Sequence, residues 1–121
     1  MLIGIDHVQL AAPAGGEEAA RDYYIGVLGM TELVKPPVLA ARGGCWFSSG
    51  VIEIHVGVEE PFQPARKAHP GLLVADIDAL ADALTRRGLP VRWDESIPGV
   101  RRFHSDDPHG NRLEFIAAAA K

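Results

Sequence analysis

The chain has 121 residues, 47% hydrophobic and 23% charged, with a formal net charge of −4. This is the composition of one globular domain with a real core, and it offers no basic surface to gather nucleic acid or anionic lipid. One cysteine, Cys45, excludes an intrachain disulfide and a cysteine zinc cage and suits a reducing cytoplasm; no signal-peptide pattern opens the chain, and no apolar run reaches the roughly 20 residues that span a bilayer.

Residues 2–11 read as a strand, with Ile3, Ile5, His7 and Gln9 on one face and Leu2, Val8 and Leu10 on the other. Glu17 and Glu18 open a helix carrying Ala20, Tyr23, Tyr24, Val27 and Leu28, which Gly29 closes. Residues 31–34 form a short strand, Lys35-Pro36-Pro37 a loop, and residues 45–47 and 51–56 a hairpin. Residues 58–68, with Pro61 and Pro64, read as a connector. A strand over 69–75 follows, then a helix capped by Asp76 with Ile77, Leu80, Ala81 and Leu84 on one stripe, ended by Gly88. Residues 91–93 are a short strand. Residues 101–105 and 112–116 form the last hairpin, around Asp107-Pro108-His109-Gly110-Asn111. Proline and glycine there supply the backbone angles of a turn, and Asp and Asn can bond the local backbone.

Each half reads strand, helix, strand, strand, strand. The fold class is α+β, a duplicated βαβββ module whose sheets curl into a cup with helices outside, in a single domain: module 1 over 1–57, connector 58–68, module 2 over 69–117. His69 follows His7 by 62 positions and Glu114 follows Glu53 by 61. A carboxylate within an apolar strand needs a partner or a metal. If first and last strands of each module pair, two His and two Glu come together. Imidazole and carboxylate donors suit Ni²⁺, Zn²⁺, Mn²⁺, Fe²⁺ or Co²⁺. Four such ligands on an octahedral ion leave two neighbouring positions for a substrate with vicinal oxygens, whose developing negative charge the ion stabilises.

Asp6-His7-Val8-Gln9-Leu10, Tyr23-Tyr24-x-x-Val27-Leu28-Gly29, Val51-Ile52-Glu53-Ile54, Ala68-His69 and Asp107-Pro108-x-Gly110-Asn111-x-x-Glu114 span nearly the whole chain. In order and spacing they resemble the vicinal oxygen chelate superfamily, the glyoxalase I, bleomycin-resistance and extradiol-dioxygenase group. The resemblance implies a glyoxalase-like fold and a His7, Glu53, His69, Glu114 metal set, with Glu53 or Glu114 also acting as the base. It implies a homodimer in which a site is shared between subunits. His104, three positions before Asp107, is a cavity residue in relatives: an acid, a base or a substrate contact, against an exposed residue.

Other readings stay open at the level of residues. His55, two positions after Glu53, replaces it as ligand, touches substrate, or points to solvent. Gln9 shares the face of His7 and lines the cavity. Arg102, with Arg101 and Arg112, holds an anionic substrate group or is surface charge. His109 is a solvated turn residue, and Cys45 a small buried hydrophobe. The expected function is a metal-dependent enzyme of isomerase, lyase or thiol-addition type acting on a small molecule. The rivals are a metal-free drug- or metabolite-binding protein and an iron-dependent extradiol-type dioxygenase.

Overall fold

The computed structural model describes residues 1–119. The chain divides into two compact units, with the boundary in sequence between Gln63 and Pro64. In the first, β1 (Val8–Ala12) is followed by α1 (Glu17–Tyr24), β2 (Thr31–Leu33), a short α2 (Pro37–Ala40), β3 (Cys45–Ser49) and β4 (Ile52–Val58). The second runs β5 (Gly71–Val74), α3 (Ile77–Arg86), β6 (Arg92–Trp93), β7 (Arg102–Asp106) and β8 (Arg112–Ala117). The sheets have order β1-β4-β3-β2 and β5-β8-β7-β6. In each, the first and last strands of the unit pair in parallel and the remaining pairs are antiparallel. The expected duplicated α+β module is therefore present.

Alternation along the strands decides which face is core. In β3 and β4, Cys45, Phe47, Ile54 and Val56 are buried and α1 packs on β3, with Tyr24 stacked on Phe47 at 5.2 Å. In β7 and β8, Phe103, Leu113 and Phe115 are buried, and α3 packs on β8. A fully buried aromatic of this kind contributes about 1.5–3 kcal/mol. The opposite faces carry the polar residues: Trp46, Glu53 and His55 in the first unit, Arg102, His104 and Glu114 in the second.

Three sequence expectations are corrected. The first strand begins at Val8, not residue 2, because β1 is an edge strand whose one neighbour, β4, pairs with it only from Ile54 onward; Leu2, Ile3 and Ile5 lie exposed ahead of it. The strand expected from residue 69 begins at Gly71, since Pro70 has no N–H to donate, although its carbonyl still accepts from the Glu114 amide at 3.1 Å. His7 and His69 thus precede their strands. Residues 37–40, within and beyond the expected loop, form α2, with Pro37 at its first turn where a missing N–H costs nothing.

The duplication is also not residue-for-residue. Val8 pairs with Ile54 in the first sheet, whereas Gly71 pairs with Glu114 in the second. The near-equal spacings of 62 and 61 positions conceal this change of register.

Candidate metal centre

The turn before β8 fixes where Glu114 points. Asp107 is buried, and its Oδ1 accepts from the amides of His109 and Asn111 while its Oδ2 accepts from Asn111 Nδ2 at 2.8 Å. Gly110 has φ 89°, an angle that favours glycine. With this turn holding the β7–β8 register, His104 stands directly opposite Glu114.

Glu114, His69 and His104 form one cluster, with a donor atom from each lying within 4.8 Å of the others. His69 Nε2 is 2.9 Å from Glu114 Oε1, and His104 Nε2 is 3.7 Å from that oxygen. On its far side, His69 Nδ1 lies 2.7 Å from the carbonyl of Lys67. Both ring nitrogens of His69 therefore face oxygen acceptors. A neutral imidazole has one proton to give, so it can donate to only one of these two oxygens. This is the donor set and charge pattern that fit a divalent cation.

Glu114 Oε2 is occupied differently. Arg102 Nη1 donates to it at 2.8 Å, and Arg102 Nη2 donates to Ser96 Oγ at 2.9 Å and lies 3.1 Å from Asp94 Oδ2. Burial alone would raise the Glu114 carboxyl, but the hydrogen bonds from Arg102 and His69 outweigh it and hold it below the usual carboxylate range. His104 is displaced downward, chiefly by burial and then by the nearby Arg112 charge, so its ring favours the neutral, ligand-competent form.

In the first unit, three rings are stacked. His55 lies between His7, at 3.9 Å, and Trp46, at 4.2 Å, with interplanar angles of 13° and 10°. His55 is 7% exposed, and burial followed by the neighbouring His7 lowers its pKa. Its Nε2 is buried without a hydrogen-bond partner, and Glu53 Oε1 lies 3.7 Å away. His7 Nδ1 meets Asp6 Oδ1 at 2.9 Å. His7, Gln9, Trp46, Glu53 and His55 all line a cavity of about 540 Å³. Gln9 turns its amide to the Leu10 carbonyl.

The four ligands expected from sequence thus fall two to a unit. The second unit joins His69 to Glu114 and adds His104, which sequence reading left among acids, bases and substrate contacts. The signal that finds it is strand alternation, with His104 paired across the last hairpin. In the first unit, His7 and Glu53 share a cavity wall. His55 is not directed into solvent. Arg102 secures Glu114, Arg101 pairs with Asp78 at 2.7 Å, and Arg112 donates to the Arg66 carbonyl; all three have partners in their own unit. His109, expected to be solvated, is half-buried.

No family model and no curated protein matches the chain. Among solved structures, a glyoxalase family protein from Bacillus anthracis is 49% identical, with TM-score 0.92 and 98% of each chain covered. The fosfomycin resistance protein FosX from Listeria monocytogenes, solved as an E126Q mutant with Mn(II) and 1S,2S-dihydroxypropylphosphonic acid, is 13% identical, with TM-score 0.82, over 98% of this chain and 95% of that one. TnmS3, an antibiotic binding protein from Streptomyces sp. CB03234, is 23% identical, with TM-score 0.71, over 98% of this chain and 100% of that one. The two distant matches establish the fold alone.

Proposed function

The chain belongs to the glyoxalase family of the vicinal oxygen chelate superfamily, and from that premise we propose that it is a metal-dependent enzyme acting on a small substrate with neighbouring oxygens. The observation that carries this reading is the His69–Glu114–His104 cluster, in which His69 presents both nitrogens to oxygen acceptors. His69, Glu114 and His104 would hold the ion in the second unit; His7 and Glu53 offer the same donor types in the first. A divalent nickel, zinc, manganese, iron or cobalt ion, when bound, supplies Lewis acidity that stabilises negative charge on a substrate oxygen.

The chain's own groups divide the remaining work. Arg102 orients Glu114 and keeps it ionised, with Asp94 and Ser96 holding the guanidinium in place. Glu114 is committed to Arg102 and His69. Among the described residues, the ionisable group close to the Glu53 carboxylate is His55, at 3.7 Å and beyond hydrogen-bond distance, and Glu53 borders the cavity. We therefore assign the proton-moving base to Glu53. The reaction is an isomerisation, a lyase step or a thiol addition in which a proton leaves carbon or oxygen next to the stabilised charge. A homodimer with sites shared between subunits and a cytoplasmic location belong to this reading. No helix of the described residues is long and apolar enough to cross a membrane.

The test is elemental analysis of tag-free protein by inductively coupled plasma mass spectrometry. Near-stoichiometric divalent metal, lost in folded Glu114→Gln and His69→Ala variants, supports the reading. No metal after incubation with the five ions sinks it. The second reading, a metal-free drug- or metabolite-binding protein, draws on the flat Trp46 ring in the cavity wall. It predicts ligand-induced thermal shifts that chelators leave unchanged. Oxygen uptake with a catechol would instead indicate ring-cleaving dioxygenase chemistry, for which two His and one carboxylate are the usual iron ligands.

A further inference from the structure

The α2 segment brings two cations to the first unit's cavity. Lys35 precedes it and Arg42 follows it, and both line the cavity with Trp46 and Glu53. Among the described residues, neither forms an ion pair with a carboxylate. Lys35 donates to the Gly43 carbonyl and lies 5.9 Å from the Trp46 ring centroid. A carbonyl satisfies a donor but does not neutralise its charge.

The segment is held, not loose. The Gly44 amide donates to Glu17 Oε2 at 3.2 Å, anchoring the end of the segment to α1. Gly44 has φ 85°, and a Cβ there would lie 2.3 Å from the Val56 carbonyl oxygen, so the chain passes directly against β4. The backbone that carries Lys35 and Arg42 to one wall is thereby held. The acids Asp6 and Glu53 reach the same cavity from β4 and the residues ahead of β1. Leu39 and Val58 add apolar surface.

We propose that this cavity binds an organic oxyanion, a carboxylate or phosphonate-type group on a small carbon body, with the anionic end on Lys35 and Arg42 and the body against Trp46. The site deepens the proposed function and rests on it in one respect: the body of the ligand is the part presented to Glu53. Arg42 supplies a planar fork suited to two oxygens, and Lys35 a point charge. The cavity volume of about 540 Å³ suits a small molecule. Charge separation between the cationic segment and Glu53 orients such a ligand in one direction.

The test is calorimetric titration of the full chain, as purified and after chelator treatment, with phenylphosphonate, benzoate and neutral benzyl alcohol. Metal content is measured on the same samples. The expected result is that one or both anions bind, more weakly at high salt, and that benzyl alcohol does not. The Lys35→Gln/Arg42→Gln double variant weakens anion binding by about tenfold or more while its metal content matches wild type. Comparison of the two anions tells a carboxylate site from a phosphonate site. The proposal is overturned if neither anion binds better than benzyl alcohol, or if the double variant binds them as wild type does. A metal-free wild type that still binds anions through Lys35 and Arg42 upholds this site and removes the metal reading, so the two failures are distinct.

Discussion

Glu114 shares its two carboxylate oxygens between opposite kinds of partner: Oε1 lies 2.9 Å from His69 Nε2 and Oε2 receives Arg102 Nη1 at 2.8 Å. One oxygen is committed to a permanent cation, and the other faces imidazole. The ionised state is thus secured by Arg102 while Oε1 remains directed at His69 and His104.

Glu114→Gln keeps the shape and removes the charge. Metal should fall from near one per chain to background, because an amide oxygen neither balances the ion's charge nor draws Nε2 of His69 toward it. Circular dichroism confirms folding, and elemental analysis reads the loss. Metal retained at the wild-type level would show that Glu114 is not a ligand.

The choice between Glu53 and His55 is open to a paired substitution. His55→Phe keeps a flat ring between His7 and Trp46, whereas Glu53→Gln leaves that stack untouched. If Glu53 is the ligand and base, Glu53→Gln abolishes turnover and His55→Phe retains metal. The opposite result assigns the ligand to His55. His55→Ala opens a gap between the two rings and should cost roughly 1–3 kcal/mol in urea unfolding, with His7 losing its fixed orientation.

The turn before β8 is the structural base of the second unit's cluster. Asp107→Ala removes an acceptor used by three donors, the amides of His109 and Asn111 and the Asn111 side chain. Leaving these unsatisfied should cost roughly 2–4 kcal/mol, read as a lower urea midpoint. Asp107→Asn, which keeps one oxygen, should cost less. Equal losses in the two variants would mean that packing, not acceptance, stabilises the turn.

Much of this organisation was legible beforehand because it rests on local chemistry. Asp107, Gly110 and Asn111 announce a turn, and the second helix follows from Asp76 as a cap, Gly88 as a stop, and the apolar stripe at Ile77, Ala81 and Leu84; the first helix was expected to run to Gly29 but ends at Tyr24, with Val27 and Leu28 in the turns that follow. The α+β duplication followed from the same pattern. Strand ends were less legible. Val8 and Gly71 start their strands because of what lies beside them and, for Gly71, because Pro70 cannot donate. The stack of His55 between His7 and Trp46 depends on cross-strand register, which Trp46 and His55 share as partners. Lys35 and Arg42 were hidden for a similar reason: the double proline read as a plain loop, and only α2 with its glycine exit returns both cations to one cavity.

Acid should weaken the fold in two separate windows. His55 and His104 have folded-state values below the ordinary 6.5, burial being the first cause in each. Above that value both states are neutral and the rings contribute no pH dependence. As pH falls below 6.5, the unfolded chain takes up protons that the folded chain resists, so stability declines until the folded values are passed. Glu114 adds to the loss in the same sense at lower pH: its folded value is below the ordinary 4.5, so the stability it contributes is complete above 4.5 and disappears as pH falls through the folded value. Melting temperatures of chelator-treated protein should therefore drop first below about pH 6.5 and again below about pH 4.5. His55→Phe should shallow the first decline and leave the second. A first decline unchanged in both His55→Phe and His104→Phe would show that these two rings are not what makes the folded protein acid-sensitive there.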